Sequence, residues 1–166
     1  MGAEHNKMQV NIAKTKEIVF HRPNARKDLF PSELPGIKRV LCAKLLGVWL
    51  QADVGMKKHV DYILHICNQR TYLLTQLKRQ GLPQTQLLNV VDAIIPACVL
   101  YASSAWRAYL NAADINSCNS CLLKQSDGKL SQTMLYDASQ LIENCDMTLF
   151  KSSLNINHCL RHIYPD

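Results

Sequence analysis

Glycine is sparse in this chain, six in 166 residues, and none of the six falls into G-x-x-x-x-G-K-[ST] or G-x-G-x-x-G. The glycine loops that cradle phosphates against a helix N-terminus are therefore missing. No G-x-S-x-G elbow presents a serine nucleophile. Acidic residues number 13 and nowhere stand side by side, as the carboxylates of a two-metal polymerase or nuclease usually do. His59 and His65 are six apart and do not share a helix face, and His158 and His162 share one without H-E-x-x-H around them. No autonomous enzymatic activity and no cofactor are expected.

Long apolar runs are also absent: each stretch is broken by polar or small residues before the ~18 consecutive positions of a membrane span. The start, "MGAEHNKMQV", lacks the apolar segment of a secretory signal. These features predict a chain inside the cell, in cytoplasm or nucleus, with no membrane partner. Seven cysteines is an odd number, and Cys42, Cys67 and Cys98 sit in apolar patterns where a free thiol behaves as a small hydrophobe, so no disulfide framework is expected. Cys118 and Cys121 form the one C-x-x-C, but its nearest partners, His158, Cys159 and His162, are much further along than the ~12–15 residues of a compact zinc finger. Reduced thiols and a histidine pair on a helix are expected there, and no metal site.

What the chain does have is a globular balance, with 48% hydrophobic and 19% charged residues, enough to bury a core. Its charge is uneven. From Met1 to Gly81 there are 14 Lys plus Arg against 6 Asp plus Glu, and from Leu82 to Asp166 there are 5 against 7, so the net +6 lies wholly in the N-terminal half. A polyanion partner would use an excess of that sign, because each phosphate neutralised releases a counterion.

The periodicities predict an α+β chain in which a small antiparallel sheet precedes a mainly α-helical bundle. "MQVNI" alternates Met8, Val10 and Ile12, "EIVF" is a β-branched and aromatic run, and both read as short strands ahead of the proline-punctuated loop "HRPNARKDLFPSELPG". Val40 to Leu50 reads as another strand, with Gly47 marking a bulge or a close backbone approach. From Met56 to Gln80 the residues Val60, Ile63, Leu64, Cys67, Leu74 and Leu77 recur at helical spacing, opposite Lys58, Asp61, His65, Asn68, Gln69 and Gln76, and Gly81 supplies a left-handed cap. A second helix is expected from Gln84 to Leu110 on Leu87, Leu88, Val91, Ile94, Ile95, Cys98, Tyr101, Ala102 and Ala105, kinked or divided at Pro96. The short "GLPQ" link makes the two antiparallel neighbours. Ser117 to Gln132 reads as loop, and Thr133 to Phe150 as a third helix on Leu135, Ala138, Leu141, Ile142 and Cys145. The segments divide at 1–52, 53–112 and 113–166.

In order along the chain, "NIAKTKEIVF", "PGIKRVLCAKLLGVWL", "GMKKHVDYILHICNQRTYLLTQLKRQGLP", "LLNVVDAIIPACVLYASSAWRAYL" and "LFKSSLNINHCLRHIYPD" resemble the region downstream of the catalytic aspartates in reverse transcriptases of LINE-type, non-LTR retrotransposons. The specific pieces are Asn-x-x-Lys-Thr-Lys, Leu-Gly-Val, and Tyr-Ala-Ser-x-x-Trp at Tyr101 to Trp106. The resemblance covers nearly the whole chain and departs most at "SCNSCLLKQSDGKLSQ", where such elements carry a more regular helical stretch.

The resemblance implies that Lys14 to Phe20 matches the last palm motif, "KLLGV" the primer grip, and the helices from Met56 onward the thumb. Lys14 and Lys16 would meet triphosphate or backbone phosphates. In the grip strand Lys44 would bind nucleic acid and Gly47 would let the primer backbone come close, and Lys57, Lys58, Arg70, Lys78 and Arg79 would grip the duplex. The implied partner is an RNA–DNA primer-template. The aromatic-Ala-Asp-Asp tetrapeptide of the family is not among these residues, so the expectation is a truncated palm edge plus thumb without polymerase activity, prone to self-association through exposed apolar faces. The Lys-Thr-Lys region also resembles an N-terminal segment of AlkB-type tRNA hydroxylase-methyltransferases; that class needs a His-x-Asp and a distal His for its iron, and the expectation is that the chain has no His-x-Asp and no such activity. A free-standing nucleic-acid-binding module and a non-catalytic protein-interaction remnant are the other readings.

Overall fold

A computed structural model describes residues 10–24, 26, 30–127 and 138–165, with the side chains of residues 123–127 left aside. The fold is α+β, as expected: short strands come first and helices follow. The chain divides into two compact units, residues 1–58 and 59–166.

In the first unit Asn11 caps a 3₁₀ turn, Ile12–Lys14, its side-chain oxygen accepting the Lys14 N–H at 3.2 Å. Strand β1 (Lys16–Glu17) then pairs in parallel with β2 (Lys38–Arg39). The expected strands at Met8–Ile12 and Glu17–Phe20 are thereby corrected. Ile12 turns because Asn11 offers its backbone a local partner, β1 ends at Glu17, and Met8 lies outside the described residues. A parallel pair needs a long crossover connection, which is what the proline-rich loop provides. Arg39 holds that loop: it donates to the Glu17 carboxylate at 2.7 Å and to the carbonyls of Pro31 and Ser32 at 2.8 and 3.0 Å. The hydrogen bond from Arg39 moves Glu17 below the usual carboxylate range.

Strands β3 (Cys42–Leu45) and β4 (Val48–Gln51) form an antiparallel hairpin. Leu46 and Gly47 join them at φ 45° and 90°. Two central residues with positive φ are the mark of a type I′ turn, whose twist matches that of the strands it joins. The single strand expected from Val40 to Leu50 is therefore two strands, and Gly47 reverses the chain instead of bulging it. The hairpin leads into helix α1 (Lys57–Arg79), where the Gln51 side-chain oxygen accepts the Lys58 N–H at 2.7 Å, satisfying one of the first-turn donors that a helix leaves unpaired.

From His59 onward α1 belongs to the second unit. Val60, Ile63, Cys67 and Leu74 are buried as the spacing predicts, while Leu77 is 40% exposed. Gly81 caps the helix at φ 89°, with the Leu82 and Gly81 N–H groups donating to the Leu77 and Lys78 carbonyls, each at 3.1 Å. This is the paired bonding of a Schellman motif.

Helix α2 (Gln84–Leu100) runs through Pro96 and ends at Tyr101, where Ala102 takes φ 51°. Of the two outcomes expected at Pro96, a kink or a division, the helix is not divided. Proline removes one hydrogen bond, but Pro96 is buried beside Ile95 and Val99, both fully buried. The turn at Ala102 starts α3 (Ser103–Trp106) and folds Trp106 inward. Its indole N–H donates to the Tyr101 carbonyl at 3.0 Å, and the His59 ring meets it edge-on, centroids 5.0 Å apart. Tyr101, Ala102 and Ala105 are exposed, contrary to the apolar stripe drawn through them. By length and composition alone Gln84–Tyr109 is apolar enough to cross a bilayer, which a count of consecutive apolar residues misses. In this fold Leu87, Val91, Ile95 and Val99 line the core.

Helix α4 (Ala112–Asp127) occupies most of the stretch expected as loop; residues 128–132 of that stretch lie outside the described residues. Its start was legible: Asn111 accepts the Asp114 N–H at 2.8 Å, the geometry of an N-cap. Asp114, Cys118, Cys121 and Leu122 are buried at positions i, i+4, i+7 and i+8, a helical stripe masked by its small and polar members. Helix α5 (Ala138–Ser153) buries Ala138 and Ile142, and Asn119 of α4 accepts the Ala138 N–H at 2.7 Å. Residues 133–137 of the expected third helix, Leu135 included, lie outside the described residues. Ser104 and Arg107 converge on Asp146 of α5, at 2.5 and 2.9 Å.

Candidate nucleic-acid interface

The division into units redistributes the charge. Residues 1–58 hold 11 Lys plus Arg against 5 Asp plus Glu, and residues 59–166 hold 8 against 8. The whole +6 thus belongs to the first unit.

Within that unit the hairpin gives the basic residues a shared surface. Side chains alternate along a strand, so Cys42 and Lys44 of β3 stand on one face with Gln51 and Trp49 of β4, and Lys44 lies directly opposite Trp49. Lys58 comes over this face: its ammonium nitrogen is 4.2 Å from the Trp49 ring centroid and 2.8 Å from the Cys42 sulfur. One ammonium group therefore covers a half-buried indole whose cross-strand partner is a second lysine, a combination able to neutralise phosphate and to stack on a base. A cleft of about 330 Å³ lies beside it, lined by His21, Leu41, Gln51 and Asp53 with Cys42 and Lys58.

Lys14, Lys16 and Lys57 are exposed in the same unit, and Gly47 sits at the hairpin turn. Arg70, Lys78 and Arg79 belong to the second unit. Arg70 is committed to the fold: it donates to the Ile94 carbonyl at 3.2 Å and to the Cys98 sulfur at 2.6 Å. Lys78 and Arg79 stand in the last turn of α1, where positive charge also suits the helix dipole. Of the nine residues named from sequence, Lys58 is seated on the Trp49 ring and Lys44 is the cross-strand partner of Trp49. Trp49 itself was missed. Reading "Leu-Gly" as a two-residue turn would have found it, since the register then sets Trp49 opposite Lys44.

One His-x-Asp triplet does stand in the chain, His59-Val60-Asp61, so the expectation that this element of an iron site is missing needs correction. It cannot chelate from one helix, because positions i and i+2 point to nearly opposite sides: His59 is buried against Trp106 and Asp61 is exposed. Among the described residues, no three His, Cys, Asp or Glu side chains are arranged to hold a metal ion. In comparison with known proteins, the chain matches no family model, no curated protein and no solved structure.

Proposed function

We propose that this chain is the palm-edge and thumb region of a LINE-type, non-LTR retrotransposon reverse transcriptase, and that by itself it grips an RNA–DNA primer-template without extending it. The observation that carries this reading is the hairpin face on which Lys44, Trp49 and Lys58 stand together, within a unit that holds all of the net charge. The "KLLGV" segment that resembles a primer grip is the tip of that hairpin, and Gly47 in its turn carries no side chain to hold a nucleic-acid backbone away. Helix α4 also supplies a regular helical stretch where the family carries one. Extension would need metal-binding carboxylates, and no two acidic residues are adjacent here.

The test is a titration of a labelled RNA–DNA primer-template with the purified chain at salt from ~50 to ~200 mM. If Lys14, Lys16, Lys44, Lys57 and Lys58 each neutralise a phosphate, log K falls against log salt with a slope of roughly −4.5. No binding at the lowest salt overturns the reading. A non-catalytic protein-interaction role is then favoured by one observation: Leu45 and Leu46 at the hairpin tip are 60% and 85% exposed, and self-association of the chain would report it.

A further inference from the structure

A thiol and an amine are held together at the base of the hairpin. Cys42 begins β3 and pairs with Gln51, the last residue of β4. The Gln51 side-chain oxygen accepts the Lys58 N–H at 2.7 Å, which fixes the first turn of α1 against the strand end. The Lys58 side-chain nitrogen then lies 4.2 Å from the Trp49 ring centroid and donates to the Cys42 sulfur at 2.8 Å. The hairpin therefore holds this lysine at its backbone and again at its tip, and all four residues belong to the first unit.

Cys42 and Lys58 both line the cleft of about 330 Å³ beside the hairpin. Cys42 is a half-buried free thiol, so a small oxidant in the cleft meets its sulfur with the lysine nitrogen alongside. Their 2.8 Å separation is closer than the ~3–3.5 Å of a near-attack arrangement. Cys98 also accepts a hydrogen bond from a cation, the Arg70 guanidinium at 2.6 Å. A guanidinium stays protonated and has no lone pair to give, whereas a lysine that yields a proton becomes a nucleophilic amine. That nitrogen sets Cys42 apart, because a cysteine sulfenic acid condenses with a neighbouring nitrogen to a sulfenamide.

We propose that Cys42 and Lys58 form a peroxide-sensitive thiol–amine pair that closes as a sulfenamide, and that closing it withdraws the Lys58 charge from the candidate interface. Reaction starts from the thiolate, the nucleophilic form of a cysteine. The Cys42 sulfur attacks one oxygen of hydrogen peroxide, an S–O bond forms and the O–O bond breaks. The departing hydroxide takes a proton from the Lys58 ammonium, giving water and a neutral amine. The Lys58 nitrogen then attacks the sulfenic sulfur; the S–N bond forms, the S–O bond breaks, and the hydroxide leaves with a nitrogen proton as a second water. One thiol, one amine and one peroxide give one sulfenamide and two waters. The product ties β3 to the first turn of α1, and its nitrogen no longer carries an ammonium charge. The effect on binding rests on the nucleic-acid reading; the cross-link itself does not.

The experiment is peptide mapping by mass spectrometry of the full chain, free of nucleic acid, after treatment with hydrogen peroxide. The expected product joins the Cys42 peptide to the Lys58 peptide with a net loss of two hydrogens, and excess dithiothreitol should release both. Lys58→Arg keeps the charge but cannot close the bond, so excess peroxide should carry its Cys42 on to the sulfinic acid, which the closed bond prevents in the unsubstituted chain. In primer-template titrations the cross-linked chain should show a slope of log K against log salt smaller by about 1, the share of one phosphate contact, and reduction should restore it. Cys42 recovered as a sulfinic acid, in a disulfide or unreacted, with the Lys58 peptide unlinked, overturns the cross-link. An unchanged slope overturns its effect on binding. If the untreated chain binds no primer-template, the nucleic-acid reading falls and takes that effect with it, while the linked peptide still decides the chemistry. The decisive product is read on the unsubstituted chain, so the proposal does not hang on the folding of a variant.

Discussion

The two units solve different problems with similar residues. Residues 1–58 hold the entire +6 and very short strands, organised by polar ties such as the Arg39 fan over Glu17, Pro31 and Ser32. Residues 59–166 carry no net charge and are built on helices with buried apolar stripes. The chain's two tryptophans mark the contrast: Trp106 is fully enclosed, and Trp49 lies half-buried under an ammonium group. Concentrated charge repels itself, and here it lies in the unit of short strands, not in the unit built on buried helical stripes. The same side chain serves as core in one unit and as surface in the other.

The sharpest way to break this comparison is to truncate both tryptophans. Trp106→Ala removes a wholly buried indole, the partner of His59 and a hydrogen bond to Tyr101, and should lower the stability of the second unit by about 3–5 kcal/mol in urea unfolding. Trp49→Ala removes a half-exposed ring and should cost about 1 kcal/mol at most, while weakening primer-template binding by about 1–3 kcal/mol if a base stacks there. Equal stability losses at the two sites would contradict the division of roles.

The next effect compares two pairs of basic residues. Lys44→Ala with Lys58→Ala should reduce the slope of log K against log salt by about 2, close to one per phosphate contact, and weaken binding at ~100 mM salt by ten-fold or more. Lys78→Ala with Arg79→Ala removes the same charge from the end of α1. Its expected cost in helix stability is about 0.3–1 kcal/mol per residue, with a smaller change in slope. A larger slope change from the second pair would move the interface to the helical unit.

The helical core was mostly legible because burial repeats along a helix. Val60, Ile63, Cys67, Leu74, Leu87, Val91 and Ile95 all follow their stripes inward, and Gly81 ends α1 where a positive φ is needed. Errors arose where a local rule met a tertiary contact. Helix α4 hides its stripe under Ser, Asn and Cys. The candidate interface was half legible. Its lysines are visible as charge, but their convergence on Trp49 depends on hairpin register, which two turn residues set. The link from Arg70 to Cys98 spans two helices and left no local signal.

Those turn residues give the smallest effect. Leu46 adopts φ 45°, a left-handed conformation that costs most L-residues roughly 1 kcal/mol and that Asn tolerates better; it also leaves an apolar side chain 85% exposed. Were stability the sole requirement, Asn-Gly would be the natural choice for a type I′ turn. Leu46→Asn should therefore stabilise the hairpin by about 0.5–1 kcal/mol, measured by urea unfolding or by hydrogen exchange of the β3–β4 amides. Primer-template binding should persist, since the face bearing Lys44, Trp49 and Lys58 is kept. If binding falls while the hairpin becomes more stable, the leucine itself makes a contact, and the basic unit meets its partner through an apolar tip as well as through its charges.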